Sequence, residues 1–292
     1  MTIGCVPNFS EGRDRAVVAA IGQSVEHVPG VLLLDSTSDA DHNRSVLTFA
    51  GEPQAVADAA LAAVAEAVAR IDLTKHKGVH PRLGAADVVP FVPVERTTLE
   101  DCAALARETG ERIWERLRVP VYLYEAAARR PECARLENVR KGAAAGVLAP
   151  DIGDEKHPTA GCCVVGARGP LVAWNIILDS EDVAAARVIA GEIRESSGGL
   201  PAVKALGLPL PSRSRVQVSI NLTDYRQTPL HVVFDAVAWR CRERGIRILG
   251  SELIGLIPQA ALYATAGHDL RWLNLRAELV LEARLRMERE KY

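Results

Sequence analysis

Residues 75–84 hold an unusual number of side chains that can do chemistry. The ten residues include two histidines, His76 and His80, with two lysines, an arginine, two glycines and a proline, and they lie between a predicted helix and a predicted strand. Histidine gives and takes protons near neutral pH, because its unperturbed pKa is about 6.5. Pro81 restricts the residue before it to extended backbone, which favours one direction for the His80 side chain. The pattern indicates a segment that binds a ligand and whose histidines can transfer protons.

Two other interpretations of these histidines stay open. Residues four positions apart lie on one face of a helix, so His76 and His80 would suit a metal hydrolase. Gly78 and Pro81 argue against a helix there, and neither a His-Glu-x-x-His pattern nor an obvious third ligand accompanies the pair. We therefore expect no metal. The other interpretation makes both histidines loop residues that are satisfied by backbone groups.

Two polar turns are further candidates. The turn at 6–12 follows the first predicted strand, and Ser10 or Asp14 is expected to cap the next helix. The turn at 35–43 leads through Asn43 and Arg44 directly into a strand, which would hold a guanidinium in a fixed place for carboxylate recognition.

Hydrophobic periodicity predicts the elements that position these residues. The order strand, helix, strand, strand, helix, strand covers 3–94, followed by a helix at 99–117 and a strand at 121–124. The same order returns over 171–252. Each half therefore resembles a split βαβ unit of the ferredoxin-like kind. We predict an α+β protein with subdomains 1–165 and 166–292. Residues 141–159 are interpreted as a linker or a ligand-covering loop, and 270–292 as one charged helix.

Composition excludes several classes of protein. The net charge is -2 and the basic residues are scattered, which gives no indication of nucleic-acid binding. No apolar run is long enough to cross a bilayer, and six cysteines without Cys-x-x-Cys spacing favour reduced thiols in a cytoplasmic protein. Walker-type loops, Gly-x-Ser-x-Gly elbows and Gly-x-Gly-x-x-Gly motifs are all absent from the sequence.

Seven segments together resemble the formiminotransferase family. In chain order they are 6–12 (VPNFSEG), 43–49 (NRSVLTF), 76–84 (HKGVHPRLG), 120–128 (PVYLYEAAA), 157–161 (HPTAG), 165–168 (VGAR) and 250–258 (GSELIGLIP). Their ordered conjunction is far more specific than any one of them.

The resemblance implies two ferredoxin-like subdomains with a folate cleft between them, and a homodimer. Tetrahydrofolate would be a co-substrate, exchanging a formimidoyl group at N5 with the amino group of glutamate in histidine degradation. His80 matches the catalytic histidine of the family. The residues that this resemblance and the polar turns nominate for substrate or folate binding are Asn8, Asn43, Arg44, Lys77, Gly78, Arg82, Gly153, Asp154, Glu155, Lys156, His157, Pro158, Thr159, Ala160, Gly161 and Arg168.

Four of these residues are cations that could pair with the carboxylates of glutamate and of folate: Arg44, Lys77, Arg82 and Arg168. Arg82 ranks first because it is two residues from His80; the alternative for each is a solvated surface cation. Two rival functions also stay open. One is a transferase on the same scaffold that acts on a different amine, and the other is a folate-binding protein without catalysis.

Overall fold

The computed structural model describes residues 1–78 and 82–291, and the chain divides into two compact units, Met1–Gly169 and Pro170–Tyr292. The strands of the N-terminal unit are β1 (Thr2–Cys5), β2 (Asn8–Phe9), β3 (Val31–Asp39), β4 (Arg44–Gly51), β5 (Ala86–Glu95), β6 (Val121–Glu125) and β7 (Cys163–Ala167). Its helices are α1 (Arg15–Glu26), α2 (Pro53–Arg70), α3 (Leu99–Leu117) and α4 (Leu136–Ala144).

The sheet of the N-terminal unit is built on a split βαβ core. β1 lies between β4 and β5 and is antiparallel to both, while β3 pairs with the outer edge of β4. This is the ferredoxin-like arrangement that periodicity predicted, and the fold class is confirmed. The chain then extends the sheet, because β7 pairs parallel to β5 and β6 pairs parallel to β7.

Alternating side chains of this sheet enter two different cores. Leu47, Phe49 and Phe91 pack with α1, α2 and α3 in the larger core. Val88, Tyr124 and other side chains of the opposite face form a smaller core with Val139 of α4. Thus α4 covers the sheet face that the first three helices leave open.

Local signals fix the helix starts. Asp14, one of the two predicted caps, caps α1 by accepting hydrogen bonds from the amides of Ala16 and Val17. Ser10 has a different role, since its hydroxyl donates to the carbonyl oxygen of Gly84 at 2.7 Å. α3 begins with a reciprocal capping box between Thr98 and Asp101.

The C-terminal unit has its own ferredoxin-like sheet. Its elements are β8 (Val172–Leu178), α5 (Val183–Ile193), β9 (Val203–Leu210), β10 (Arg215–Leu222), α6 (Leu230–Glu243), β11 (Ile248–Ile254), α7 (Gln259–Tyr263) and α8 (Leu281–Arg289). The strand order is β11-β8-β10-β9 with every pair antiparallel. Trp174, Val218 and Val237 lie in its core.

Two predictions about segments are wrong, and one of the two alternatives for a third segment is excluded. The polar stretch after residue 35 continues β3 to Asp39, because its backbone pairs with β4. Residues 141–159 do not link the units: α4 runs to Ala144 and the chain then returns to β7 of the same unit. The segment 270–292 is not one helix, because bridges to Ser251 and Ile257 hold residues before α8 in extended form. Among the described residues, no helix is both long and apolar enough to span a membrane.

Candidate active site

Asp87 is a fully buried acid on β5, and a bulge determines where it points. Asn8 of β2 pairs with Val88 and Phe9 pairs with Ala86, so Asp87 has no partner in β2. An extra residue of this kind locally redirects its side chain. The Asp87 carboxylate reaches an arginine of β4 and an arginine of α4, the helix that covers this face of the sheet.

Both oxygens of the Asp87 carboxylate are occupied. Oδ2 accepts from Nη1 of Arg44 at 2.8 Å and from Nη2 of Arg140 at 2.7 Å. Oδ1 accepts from the backbone amide of Leu83 at 2.6 Å. The guanidinium of Arg44 also donates through Nε and Nη2 to the Oδ1 atom of Asn8, at 3.2 and 2.9 Å. The structure therefore brings together Asn8 and Arg44, two of the nominated residues, around an acid that was not predicted.

Electrostatics keeps this acid ionised. Burial by itself raises the pKa of Asp87, but the charges of Arg44 and Arg140 and the Leu83 amide outweigh it and hold the pKa below its usual range. The side chain of Asp87 is 0% exposed and that of Arg44 is 11% exposed, so water screens this pair little.

Asn43 connects the turn at 10–12 with the loop at 76–78. Its Oδ1 atom accepts from the amide of Gly12 at 2.9 Å, and its Nδ2 atom donates to the carbonyl oxygen of Lys77 at 3.0 Å. Its backbone has φ of 48°, a left-handed conformation that asparagine tolerates better than most residues. Gly78 packs close to this turn, because a Cβ atom there would lie 2.5 Å from the carbonyl oxygen of His42.

His76 bonds to the backbone, as the loop interpretation of the two histidines expects. Its Nε2 atom lies 3.1 Å from the carbonyl oxygen of Asn43, so Nε2 carries the proton. Burial and the charge of Arg82 lower the pKa of His76. Within 1–78 and 82–291, no group of three or more His, Cys, Asp or Glu side chains is arranged to hold a metal ion. His80, the predicted catalytic residue, lies outside the described residues.

The chain is anchored on both sides of residues 79–81. Before them, Lys77 is bonded to Asn43. After them, Arg82 donates to the carbonyl oxygens of Gly78 and His76, each at 3.2 Å, and Leu83 donates to Asp87. The side chain of Lys77 is exposed.

The predicted folate loop is held by hydrogen bonds to Leu73 and Ala85. The amide of Leu73 donates to the carbonyl oxygen of Thr159 at 2.8 Å, and the amide of Ala85 donates to that of Ala160 at 2.8 Å. His157 and Gly161 exchange two backbone hydrogen bonds, and the His157 ring accepts from the Ala160 amide at 3.0 Å. Residues 157–161 thus form a tight turn.

Within the predicted folate loop, residues 153–161, the residues near the middle are more exposed to solvent than those at the two ends. Gly153 begins it in a left-handed conformation, where a Cβ atom would lie 2.6 Å from the Trp114 ring. The next three residues, Asp154, Glu155 and Lys156, are exposed, as is Pro158. The loop therefore has a fixed start and a fixed end with a charged, solvent-facing stretch near its middle.

One nominated residue stands apart from this cluster. Arg168 follows the C-terminal end of β7, and its amide bonds to the carbonyl oxygen of Phe91 at 3.1 Å. Asp87 lies near the N-terminal end of the neighbouring parallel strand β5. The Arg168 side chain bonds to Tyr124 and donates to the carbonyl oxygen of Gly169 at 3.0 Å, and neither of these bonds involves Asp87.

Sequence reasoning missed two residues of the cluster. Asp87 stands in the apolar run 85–89, and an acid at such a place is almost never buried unless it is paired. That signal was available. Arg140 had no such signal, since its partner is 53 positions away and its helix was not predicted.

On the expectation that residues 153–161 bind folate, Gly161→Ala should weaken tetrahydrofolate binding at least tenfold. Gly161 has φ of 70°, and an added Cβ atom would lie 2.3 Å from the carbonyl oxygen of Leu83. The turn at 157–161 would have to shift away from 83–84. The left-handed backbone alone costs a side chain about 1–2 kcal/mol, and the clash adds to it. Calorimetric titration of the full chain measures the affinity.

The control for this prediction is Gly146→Ala. Gly146 has φ of 68°, but nothing lies within 4 Å of its Cβ position. The variant therefore carries the backbone cost without the clash, and its affinity should equal that of the wild type. Equal affinities in the two variants would disprove a role for the turn in binding.

Asp87 is expected to make the stability of the protein sensitive to acid. Its folded pKa is lowered, so its stabilising contribution is complete above the unfolded pKa of about 3.9 and is lost as pH falls through the folded pKa. Between about pH 5 and pH 2, the unfolding free energy of Asp87→Asn should depend less on pH than that of the wild type. Denaturant unfolding at several pH values checks this, and parallel pH curves would contradict it.

Family models match both halves of the chain. Residues 2–168 match the N-terminal subdomain of the formiminotransferase domain, and 173–286 match the formiminotransferase domain itself. A glutamate formimidoyltransferase of Streptococcus pyogenes is 44% identical over 92% of this chain and 93% of its own length. A second, from Thermoplasma acidophilum, is 39% identical over 97% of both chains.

A larger protein shares the same region. The formimidoyltransferase-cyclodeaminase of mouse is 39% identical over 90% of this chain, but the match covers 51% of the mouse protein. The family models and the long alignments agree over both halves of the sequence. The chain belongs to the formiminotransferase family.

Proposed function

We propose that this protein transfers a formimidoyl group between N5 of tetrahydrofolate and the amino group of L-glutamate, a step of histidine degradation. The observation that carries the proposal is the 44% identity to a glutamate formimidoyltransferase over nearly the full length of both proteins. The family match extends across both units, so the proposal does not rest on one motif.

The chemistry requires proton transfer at two nitrogens. The amino group of glutamate must lose a proton before it attacks the formimidoyl carbon. N5 of folate must then gain a proton as the old C–N bond of the tetrahedral adduct breaks. We propose that His80 does both, first as neutral imidazole and then as imidazolium. A positioned acid–base group contributes about 10²- to 10⁴-fold in rate.

The surroundings of residues 79–81 support this role. Asn43 and Asp87 hold the chain before and after them. Holding a catalytic group and two substrates in one geometry lowers the barrier by up to about 7–11 kcal/mol in favourable cases. The loop at 153–161, which is hydrogen-bonded to Leu73 and Ala85, is proposed to bind folate.

The cations proposed to pair with substrate carboxylates differ in the hydrogen bonds that they already make within the protein. Arg44 donates to Asn8 and Asp87, so we propose that it positions Asp87 and contributes charge. Arg82 is occupied as well, because it donates to the carbonyl oxygens of Gly78 and His76. Of these cations, Arg82 and the exposed Lys77 are nearest in sequence to His80, and both are proposed to meet carboxylates. The same family resemblance leads us to propose a cytoplasmic homodimer, which sedimentation of the purified protein would test.

A turnover assay tests the function. The full chain is incubated with 5-formimidoyl-tetrahydrofolate and each of a panel of amino acids, and formimidoylated product is measured. Glutamate is expected to be the preferred acceptor. If another amine is preferred, that amine and not glutamate is the acceptor. If folate binds tightly but no transfer is detected with any amine, the protein is a folate-binding protein and not an enzyme.

A further inference from the structure

Asn43 joins two segments that are distant in sequence, and both polar atoms of its side chain are already bonded. Oδ1 accepts from the amide of Gly12 at 2.9 Å, and Nδ2 donates to the carbonyl oxygen of Lys77 at 3.0 Å. A backbone amide only donates and a carbonyl oxygen only accepts, so these partners fix the orientation of the Asn43 amide. Asn43 is 7% exposed. The side chain is therefore a buried bridge within the protein.

The backbone of Asn43 makes a third contact with the same loop. Its carbonyl oxygen lies 3.1 Å from Nε2 of His76. A Cβ atom at Gly78 would lie 3.0 Å from Cβ of Asn43, so the loop packs directly on this residue. The φ of 48° at Asn43 lies in the left-handed region, where asparagine and aspartate are found more often than other residues with a side chain. Residues 76–78 are thus held by Asn43 through two hydrogen bonds and a close packing contact.

The turn at 10–12, to which Asn43 is bonded, is itself tied to the chain that follows the proposed catalytic residue. The amide of Ser10 donates to the carbonyl oxygen of Ala85 at 2.8 Å, and its hydroxyl donates to that of Gly84 at 2.7 Å. Asn43 bonds to the same turn from the other side. The proposed catalytic residue therefore belongs to a stretch of chain whose two ends are connected through this turn.

We propose that Asn43 is a positioning residue, which holds residues 76–78 and thereby positions His80, and that it does not bind substrate. The inference rests on the proposed function, in which His80 transfers the protons. Only one residue separates Gly78 from His80, so a shift of Gly78 is passed on to His80. Displacement of a catalytic group by about 1 Å can cost about 100-fold in rate. Loss of Asn43 should therefore act on kcat and not on KM.

The test replaces Asn43 with glycine in the full chain. Glycine adopts the left-handed backbone without strain and adds no charge, so Asn43→Gly removes only the two hydrogen bonds of the side chain. We expect kcat to fall by about 10- to 100-fold, with KM for glutamate and for tetrahydrofolate close to the wild-type values. A rise in KM with wild-type kcat would make Asn43 a binding residue and would overturn the proposal.

Asn274→Gly is the matched control. Asn274 also uses both polar atoms, because it accepts from the amide of Leu253 and donates to the carbonyl oxygen of the same residue, each at 2.9 Å. The control variant loses as many hydrogen bonds, but in the C-terminal unit, so its kcat and KM should stay close to wild type. If it lowers kcat as much as Asn43→Gly does, the loss reflects general stability and the proposal fails.

A double-mutant cycle separates positioning from damage to the fold. With His80 present, Asn43→Gly should lower kcat/KM by about 10- to 100-fold, whereas in His80→Ala it should lower it by less than about threefold, because no imidazole remains to be positioned. Equal losses in the two backgrounds indicate a structural role and overturn the proposal. Asn43→Asp keeps the acceptor for Gly12 and loses only the donor, and it replaces Asn43→Gly in the cycle if the glycine variant does not fold.

Limited digestion with trypsin tests the holding role without turnover. Lys77 is exposed, but its carbonyl group is the one that Asn43 holds. Cleavage between Lys77 and Gly78, identified by mass spectrometry, should be about tenfold faster in Asn43→Gly and unchanged in Asn274→Gly. If the wild type transfers nothing to any amine but cleavage is faster in Asn43→Gly, the proposed function fails and the holding role stands. Equal cleavage rates overturn the inference whatever the activity.

Discussion

His80→Ala is expected to lower turnover by about 10²- to 10⁴-fold while leaving the affinity for tetrahydrofolate close to wild type. The reaction moves a proton away from the attacking amine and onto the departing nitrogen, and alanine can do neither. Binding should persist because the proposed folate loop is held by backbone hydrogen bonds to Leu73 and Ala85, which do not involve the His80 side chain. Steady-state kinetics and calorimetric titration of the same preparation measure both quantities.

His27→Ala is the matched control for this prediction. His27 is exposed just after α1 and takes part in none of the hydrogen bonds described for the candidate site, so its loss should change neither turnover nor affinity. Near-wild-type turnover in His80→Ala would remove this residue from the mechanism. Loss of folate binding in that variant would make His80 a binding residue instead.

The second large effect is expected on stability. Asp87→Asn keeps the shape of the side chain but removes the charge that Arg44 and Arg140 share. Two guanidiniums would then lie close together without an acid, in a place where water screens them little. Breaking a buried ion pair costs about 3–5 kcal/mol. For a unit of the size of Met1–Gly169, each kcal/mol lowers the melting temperature by about 2–4 °C. The midpoint of the first thermal transition should therefore fall by about 6–20 °C.

Glu100→Gln provides the comparison for an exposed ion pair. Glu100 lies 3.0 Å from Nη1 of Arg107, and its side chain is 75% exposed. Exposed pairs contribute about 0–1 kcal/mol, so this variant should melt within a few degrees of the wild type. Calorimetric scans of the three proteins decide the matter. If Asp87→Asn melts no lower than Glu100→Gln, the buried cluster does not stabilise the N-terminal unit.

Much of the fold was predictable because its signals are local. Alternating and helical hydrophobic patterns identified both βαββαβ cores, and Asp14 was one of two named caps for α1. Periodicity reports only which face of an element is buried, however. It therefore missed α4, a short helix of nine residues, and the continuation of β3 through a polar stretch whose backbone pairs with β4.

The sequence by itself determined the family, the order of the strands and helices, and the segments that carry the candidate chemistry. Only the tertiary structure decided which of those residues meet. Asp87 is aimed by a bulge in strand pairing, and its two arginines come from positions 43 and 53 residues away. Strand register and the docking of α4 are properties of the assembled sheet, so no pattern within a short stretch of sequence encodes these contacts.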